Sequence, residues 1–191
     1  MAQDTLQIRW HGRGGQGAKT AAGMVAEVAV TAGHNAQAAP EYGAEREGAP
    51  IKAYTRISED PIRVHDAIYN PDVVMVLDDT LLDSEDVEAG LTEDGTLLVN
   101  TEKSPAEIRE QLGLEGRQVY TIDATGIALE EIGRPIPNTV MIGALLSVTN
   151  AVPLEEVEKS IRKKFEGKLS EGMLEGNIKA AERAFEEVQS E

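Results

Sequence analysis

The chain has 191 residues, a formal net charge of −16 at pH 7 and no cysteine. This charge argues against a nucleic-acid-binding protein, which needs a basic face, and the lack of thiols excludes an iron–sulfur cluster bound by thiolates. No apolar run approaches the roughly 20 residues that span a bilayer, and the first residues lack the basic-then-apolar order of a signal peptide, so we expect a cytoplasmic chain with no membrane partner.

The first predicted element is a strand over residues 5–11, in which apolar and polar residues alternate. Its apolar residues, Trp10 among them, share one face, whereas Arg9 and His11 lie on the other. The three histidines of the chain show no metal-ligand spacing. We therefore expect Arg9 and His11 to face solvent, which is simpler than a role at a partner or at a site.

A glycine-rich loop follows this strand between residues 12 and 17, and an Ala-rich segment over about 17–32 is predicted to be a helix. In such a loop, backbone amides can approach an anion without interference from Cβ atoms, and the helix N-terminus adds the positive end of a dipole. The order of strand, glycine loop and helix therefore predicts an anion site. A tight turn without a ligand is the alternative.

The rest of the chain shows strand and turn signals up to residue 122 and is then predicted to be entirely helical. The irregular stretch 40–50 suits either a binding loop or a solvated surface loop. The apolar run 73–77 is typical of a strand buried on both faces, and it ends in Asp78 and Asp79. The other predicted strands are 35–39, 51–57, 96–99 and 119–122, and the later helices are expected between 104 and 113 and at about 127–132, 139–149, 154–165 and 171–188.

These elements predict an α/β fold with three α/β/α layers, a mostly parallel mixed sheet and a helical C-terminal segment. No linker, internal repeat or low-complexity segment divides the chain. We therefore expect one domain over residues 1–191, with the sheet core at about 5–125 and the C-terminal helices at about 126–190.

Two nucleotide-binding interpretations of the glycine loop also arise. Gly12, Gly14 and Gly17 satisfy the G-x-G-x-x-G dinucleotide fingerprint, but no acidic residue ends the second strand to hold a ribose. The loop nearly matches a P-loop, but Ala18 precedes Lys19, and one extra residue turns the lysine by about 100° around the helix, away from the phosphates. A stand-alone nucleotide-binding protein stays open as an alternative.

Five stretches of the chain resemble the gamma subunit of the 2-oxoacid:ferredoxin oxidoreductases. They are 8–17 (IRWHGRGGQG), 41–50 (EYGAEREGAP), 69–74 (YNPDVV), 100–103 (NTEK) and 134–139 (RPIPNT). Within that family the pyruvate branch is the most similar, because relatives that act on 2-oxoglutarate tend to have Gly-Gly where this chain has Gly48-Ala49. Gamma subunits for 2-oxoglutarate, 2-oxoisovalerate or indolepyruvate stay open as alternatives.

The resemblance implies a non-redox subunit that is inactive alone. The family complex converts pyruvate and coenzyme A reversibly into acetyl-CoA, carbon dioxide and reduced ferredoxin. The implied partners are alpha, beta and delta subunits, or fused equivalents, with ferredoxin as the electron acceptor of the complex. The resemblance implies that the partner subunits carry thiamine diphosphate, Mg²⁺ and [4Fe–4S] clusters, that coenzyme A is the co-substrate, and that this chain alone binds no cofactor.

The resemblance also implies that this domain packs near the thiamine site and contributes to the coenzyme A site, and we expect the glycine loop to take that role. The backbone amides of Gly14, Gly15 and Gly17 would receive phosphates, and Arg13 would add a charge-assisted contact. Alternatively, the glycines seat the chain against the thiamine-binding subunit. No catalytic or metal-binding residue is assigned, and the candidate cofactor-binding residues are Gly12, Arg13, Gly14, Gly15, Gln16, Gly17, Glu45, Arg46, Asn138 and Thr139.

Overall fold

A computed structural model describes residues 5–41 and 47–191. The strands in these residues are β1 (Thr5–Arg13), β2 (Asn35–Pro40), β3 (Pro50–Ser58), β4 (Val73–Val76), β5 (Thr96–Asn100), β6 (Gln118–Ile122) and β7 (Gln189–Ser190). The α-helices are α1 (Ala18–Thr31), α2 (Pro105–Leu112), α3 (Ala124–Ile132), α4 (Asn138–Thr149), α5 (Leu154–Phe165) and α6 (Glu171–Glu187), and a 3₁₀ helix spans Asp79–Asp83.

The strands form one mixed sheet in the order β2-β3-β1-β4-β5-β6-β7. The four central strands, β1, β4, β5 and β6, run parallel to one another. The outer strands are antiparallel to their inner neighbours: β3 to β1, β2 to β3 and β7 to β6. This arrangement confirms the predicted α/β fold with a mixed sheet, and it brings the carboxyl ends of the four central strands to one edge.

Local sequence signals explain where the helices begin and end. The α2 helix starts with a complete capping box between Ser104 and Glu107, has Pro105 in its first turn, and ends at Gly113 in the left-handed conformation. The α1 helix is built from small apolar residues, eight of which are buried. Among the described helices, none combines the length and the hydropathy needed to cross a bilayer.

Helices cover both faces of the sheet, which makes the three predicted layers. One face carries a large apolar cluster that includes Trp10 on β1 together with residues of α1, α4, α5 and α6. The opposite face carries a smaller cluster in which β4 and β5 residues pack against Leu81 of the 3₁₀ helix and Ile108 of α2. The large cluster runs from Ile8 to Ala184, so the C-terminal helices pack on the same sheet face as α1.

The α4 helix is buried against α6, as its apolar sequence predicts. Eight of its residues, from Thr139 to Leu146, are buried. Gly143 allows the two helices to approach closely, because a Cβ atom at this position would overlap the backbone carbonyl of Ala181 on α6. This contact anchors the C-terminal half of the chain and fixes the position of the α4 N-terminus.

Two expectations from the sequence are wrong. Arg9 and His11 do not face solvent: they are 6% and 1% exposed, because the segment around Val87 covers this face of β1. The segment after residue 123 is not entirely helical, because β7 at Gln189–Ser190 adds a short strand beside β6. Both corrections concern contacts between segments that are far apart in the chain.

Candidate functional site

A crevice of about 690 Å³ lies at the carboxyl ends of the central strands. The glycine loop after β1 forms one wall through Gln16. In open α/β sheets, ligands bind outside the carboxyl ends of the strands, where successive connections leave toward opposite faces. Here α1 follows β1 on one face, and the 3₁₀ helix follows β4 on the other. The other lining residues include Asp78, Asp79, Asn100, Thr101, Lys103, Asp123 and Thr125.

The glycine loop brings open backbone amides to the start of α1. Gly15 and Gly17 have φ values of 98° and 85°, in the left-handed region that favours glycine. Gly17 is the N-cap of α1, and no side chain caps the helix there. Ala18 is buried, and the amides of Lys19 and Thr20 in the first turn therefore stay available for an anion.

Some backbone amides of the glycine loop already have hydrogen-bond partners within the chain. The Gly14 amide donates to the carbonyl of Ala49 at 2.9 Å, and the Gln16 amide donates to the carbonyl of Arg13 at 3.1 Å. The expectation that Gly14 offers its amide to a phosphate is therefore wrong, because the bond to Ala49 already uses that donor. The open amides belong to the C-terminal part of the loop and to the first turn of α1.

Asp78 organises the side chains of the loop. Its Oδ2 accepts from Gln16 Nε2 at 2.6 Å and lies 3.4 Å from Arg13 Nε. Burial raises the pKa of Asp78, but hydrogen bonds from Thr80 and Gln16 and the charge of Arg13 outweigh burial and lower the pKa overall. A carboxylate therefore faces the guanidinium of Arg13, which also donates to Thr80 Oγ1 at 2.7 Å.

Arg13 therefore holds the loop in place in this structure. Its remaining donor, Nη1, bonds the carbonyl of Gly48 at 3.2 Å, and its side chain is 28% exposed. A phosphate contact by Arg13 would compete with Asp78, so Arg13 fits a supporting role better than that of the main anion ligand.

The N-terminus of α4 lies beside the glycine loop. A Cβ atom at Gly17 would come within 2.6 Å of Asn138 Nδ2, so only glycine leaves room for this side chain. The α4 helix begins after Pro137, and the amide of Thr139 in its first turn donates to Asn138 Oδ1 at 2.8 Å. Two helix N-termini therefore meet at the crevice, and α1 is the one whose first turn has no side-chain cap.

The remaining candidate residues from the sequence analysis lie in different places. Asn138 contacts the loop, whereas Thr139 is buried and donates its hydroxyl to Asn177 Oδ1 at 3.0 Å. Glu45 and Arg46 lie outside the described residues. Glu47, the next described residue, forms a β-bridge with Gly14.

Two polar residues that line the crevice, Asn100 and Thr125, were missed as site residues. Asn100 donates from Nδ2 to the carbonyl of Leu77 and to Thr125 Oγ1, both at 2.8 Å, and joins the ends of β4, β5 and β6. A signal was present, because Asn100 follows directly on an apolar strand, where the carboxyl edge of a parallel sheet lies. Within residues 5–41 and 47–191, no three His, Asp or Glu side chains are grouped to hold a metal ion.

Comparisons with known proteins agree with one another. The sequence profile of the family described as pyruvate ferredoxin/flavodoxin oxidoreductase matches residues 7–187. Pyruvate synthase subunit PorC of Thermotoga maritima is 53% identical over 188 residues, which cover 98% of this chain and 97% of that protein. The pyruvate/ketoisovalerate oxidoreductases common subunit gamma of Pyrococcus abyssi is 51% identical, with 96% and 97% covered.

The fold comparison gives the same result. The crystal structure of pyruvate oxidoreductase subunit PORC from Thermotoga maritima superposes with a TM-score of 0.87 at 49% sequence identity. The alignment covers 97% of this chain and 98% of that chain.

Proposed function

Because the chain belongs to the pyruvate ferredoxin/flavodoxin oxidoreductase family, as a gamma subunit, we propose that it helps to form the coenzyme A and 2-oxoacid site of a pyruvate:ferredoxin oxidoreductase. The complete enzyme would convert pyruvate, coenzyme A and two oxidised ferredoxins into acetyl-CoA, carbon dioxide, a proton and two ferredoxins that are each reduced by one electron. The chain would work in the cytoplasm and dock to the subunit that binds thiamine diphosphate.

The observation that carries this proposal is the uncapped N-terminus of α1, which lies beside the N-terminus of α4 at the mouth of the crevice. Coenzyme A carries a pyrophosphate and a 3′-phosphate, and backbone amides at a helix start bind such groups. The lining side chains bear four carboxylates, from Asp78, Asp79, Glu102 and Asp123, against the one ammonium of Lys103. The phosphates would therefore bind the amides of the loop rather than enter the crevice.

The redox and thiamine chemistry is assigned to partner subunits in this proposal. The sequence has no cysteine for an iron–sulfur cluster. This chain would bind and orient a substrate while alpha, beta and delta partners carry the cofactors and pass electrons to ferredoxin.

Gly15→Val in the assembled complex tests the anion site. Gly15 has a φ of 98° and open space where a Cβ would lie, so a side chain there strains the loop and screens its amides. Gly33→Val is the matched control, because Gly33 has a φ of 97°, equally open space, and a position just after the far end of α1.

We expect Gly15→Val to raise the Kd for coenzyme A by at least roughly tenfold, about 1.4 kcal/mol, while Gly33→Val leaves it within twofold. Arg13→Ala is expected to act more weakly because Asp78 already neutralises the guanidinium. Unchanged affinity in both Gly15→Val and Arg13→Ala would favour the alternative, in which the glycines seat the chain against the thiamine-binding subunit.

A second substrate is favoured by the name of one relative, the pyruvate/ketoisovalerate common subunit of Pyrococcus abyssi. If this chain is shared in the same way, its purification from the native source would yield two oxidoreductases, one active on pyruvate and one on 2-oxoisovalerate. A stand-alone nucleotide-binding protein predicts instead a purified monomer that binds NAD or ATP without larger, cysteine-containing chains.

A further inference from the structure

The two edges of the sheet differ in the length of their outermost strand and in how that strand is held. At one edge, β7 covers β6 by pairing Ser190 with Tyr120, and the Glu191 carboxylate receives bonds of 2.6 and 2.8 Å from Arg109. At the other edge, β2 pairs with β3, and no further strand among the described residues pairs with it. One edge of the sheet therefore ends in a two-residue strand, whereas the open edge is the six-residue strand β2.

The register shows which backbone groups of β2 are unpaired. The Glu41 amide donates to the carbonyl of Lys52, so this is a hydrogen-bonded pair of the antiparallel ladder. In an antiparallel ladder, hydrogen-bonded pairs alternate with pairs that share no backbone bonds. Counting back from Glu41, Ala39 opposite Tyr54 is therefore the next bonded pair, and Gln37 opposite Arg56 is the one after it. The N–H and C=O groups of Ala36 and Ala38 therefore point outward, away from β3.

The open edge lacks most of the devices by which proteins block unwanted pairing. No residue of β2 is charged, although 27% of the chain is Asp, Glu, Lys or Arg. The register with β3 is continuous, so no bulge bends the strand away. Pro40, at the end of β2, occupies an outward-facing position where its missing N–H costs nothing. Four successive groups, the amides and carbonyls of Ala36 and Ala38, remain to receive a strand.

The surface beside this edge carries two exposed valines among polar residues. Val30 on α1 is 55% exposed and lines a shallow cavity of about 380 Å³ together with Ala36. Val64 is 54% exposed, and its carbonyl accepts from Gln37 Nε2 at 2.6 Å, which places Val64 beside β2. An added strand would therefore gain backbone hydrogen bonds at its centre and apolar contacts on its side chains.

We propose that the open edge of β2 is a docking surface for an extended, non-acidic segment of another subunit of the oxidoreductase, which pairs with Ala36 and Ala38. A second copy of this chain also carries a net charge of −16, so the overall repulsion between two copies favours a different, less acidic subunit. The proposal rests on membership in a multi-subunit enzyme and is independent of the anion site.

Residue-resolved amide hydrogen exchange on the free chain and on the reconstituted complex tests the surface. In the free chain, the outward amides of Ala36 and Ala38 exchange fast, whereas those of Gln37 and Ala39 are protected by bonds to β3. In the complex, exchange at Ala36 and Ala38 is expected to slow by roughly 100-fold or more as these amides gain partners. Gln37 and Ala39 supply the internal control, because their bonds to β3 exist in both states.

Ala38→Pro provides the second measurement, with Ala38→Val as its matched control. Proline removes an outward N–H that the isolated fold does not use, whereas valine keeps it. We expect Ala38→Pro to weaken retention of the chain in the complex by about tenfold, and Ala38→Val to retain nearly full binding. The melting temperature of each free variant reports whether the fold itself is intact.

Three outcomes would overturn the proposal. A complex that assembles with Ala36 and Ala38 still exchanging fast would exclude the β2 edge and leave the subunit role intact. A free chain that forms a dimer with protected Ala36 and Ala38 amides would assign the edge to a second copy. Failure of the wild-type chain to assemble with the other subunits would refute both the subunit role and this docking surface.

Discussion

The two faces of β1 are buried to the same extent by opposite chemistry. On one face, Trp10 is fully buried in the large apolar cluster, and its indole Nε1 donates to Thr55 Oγ1 at 3.0 Å. On the other face, Arg9 and His11 are also buried, but hydrogen bonds replace apolar packing. Arg9 Nε donates to His11 Nε2 at 3.0 Å, so the neutral imidazole carries its proton on Nδ1.

The polar face is completed by the segment that follows the 3₁₀ helix. Arg9 Nη2 donates to the carbonyls of Val87 and Ala89 at 2.9 and 2.7 Å. Burial lowers the pKa of Arg9, and the neighbouring charges of Asp86 and other acidic groups partly offset this effect. An alternating sequence therefore shows that a strand has two chemically different faces but not which of them is buried. A polar face can be buried when carbonyl groups from a distant segment accept its hydrogen bonds.

The largest expected effect is on the apolar face. Trp10→Ala removes a fully buried indole and leaves a cavity, so we expect the free energy of unfolding to fall by about 3–5 kcal/mol. Urea denaturation measures this loss, with Trp10→Phe as the control that keeps an aromatic ring and removes the bond to Thr55. A loss below about 1 kcal/mol in Trp10→Ala would contradict the described packing.

Arg9→Met tests the polar face. The substitution keeps much of the apolar stem but removes the donors to Val87 and Ala89, and a buried carbonyl without a partner costs about 1–3 kcal/mol. We expect a loss of about 2–4 kcal/mol in the free energy of unfolding. Arg9→Lys keeps a charge and should recover part of this loss, and equal stability of Arg9→Met and wild type would show that these bonds contribute nothing.

The third prediction concerns pH. Burial, with the charges of Arg9 and Lys52, lowers the pKa of His11 to about 3 in the folded chain, against about 6.5 in the unfolded chain. Between these values the unfolded state binds the extra proton, so stability is complete above about pH 6.5 and falls as the pH drops toward 3.

The expected loss from this group is about 1.4 kcal/mol per pH unit, or about 2 kcal/mol between pH 6 and pH 4.5. The measurement compares the free energy of unfolding of wild type and His11→Gln across this range, with the exposed His65→Gln as the matched control. Parallel curves for wild type and His11→Gln would contradict a depressed pKa at His11.

The smallest expected effect concerns the one hydrogen bond that the Trp10 side chain makes on the apolar face. Thr55 Oγ1 accepts from Trp10 and donates to the carbonyl of Ala22 at 3.1 Å. Thr55→Val keeps the shape of the side chain, leaves the Trp10 indole N–H without an acceptor and removes the second bond to the Ala22 carbonyl, so we expect a loss of about 1–2 kcal/mol in the free energy of unfolding. Thr55→Ser, which keeps the hydroxyl, is the control, and equal losses in the two variants would assign the effect to packing.

Much of the fold followed from local patterns. The alternation in β1, the apolar run of β4, the capping box of α2 and the apolar sequence of α4 each predicted the element that the structure contains. The short strand β7 was not predicted, because two residues show no periodicity and their strand conformation depends on pairing with β6. Interactions within one segment are visible in its sequence, whereas pairing partners are not.

The candidate site was predictable in part. The glycines, the start of α1 and Asp78 at the end of β4 were all visible as motifs, and the contact between Gly17 and Asn138 brings together two predicted candidates. The hydrogen bond from the Gly14 amide to the Ala49 carbonyl could not be predicted from the sequence, because it joins residues 35 positions apart. The assignment of these residues to coenzyme A stays a prediction.

The sequence by itself determined the α/β class, the order of the elements and the glycine loop, because each depends on the periodicity and backbone preferences of neighbouring residues. Family resemblance, carried by the motifs of that same sequence, identified the gamma subunit. Only the tertiary structure decided that the polar face of β1 is buried, that Arg13 is held by Asp78, and that one sheet edge is open. These features depend on hydrogen bonds between distant segments, whose geometry exists only after the chain has folded.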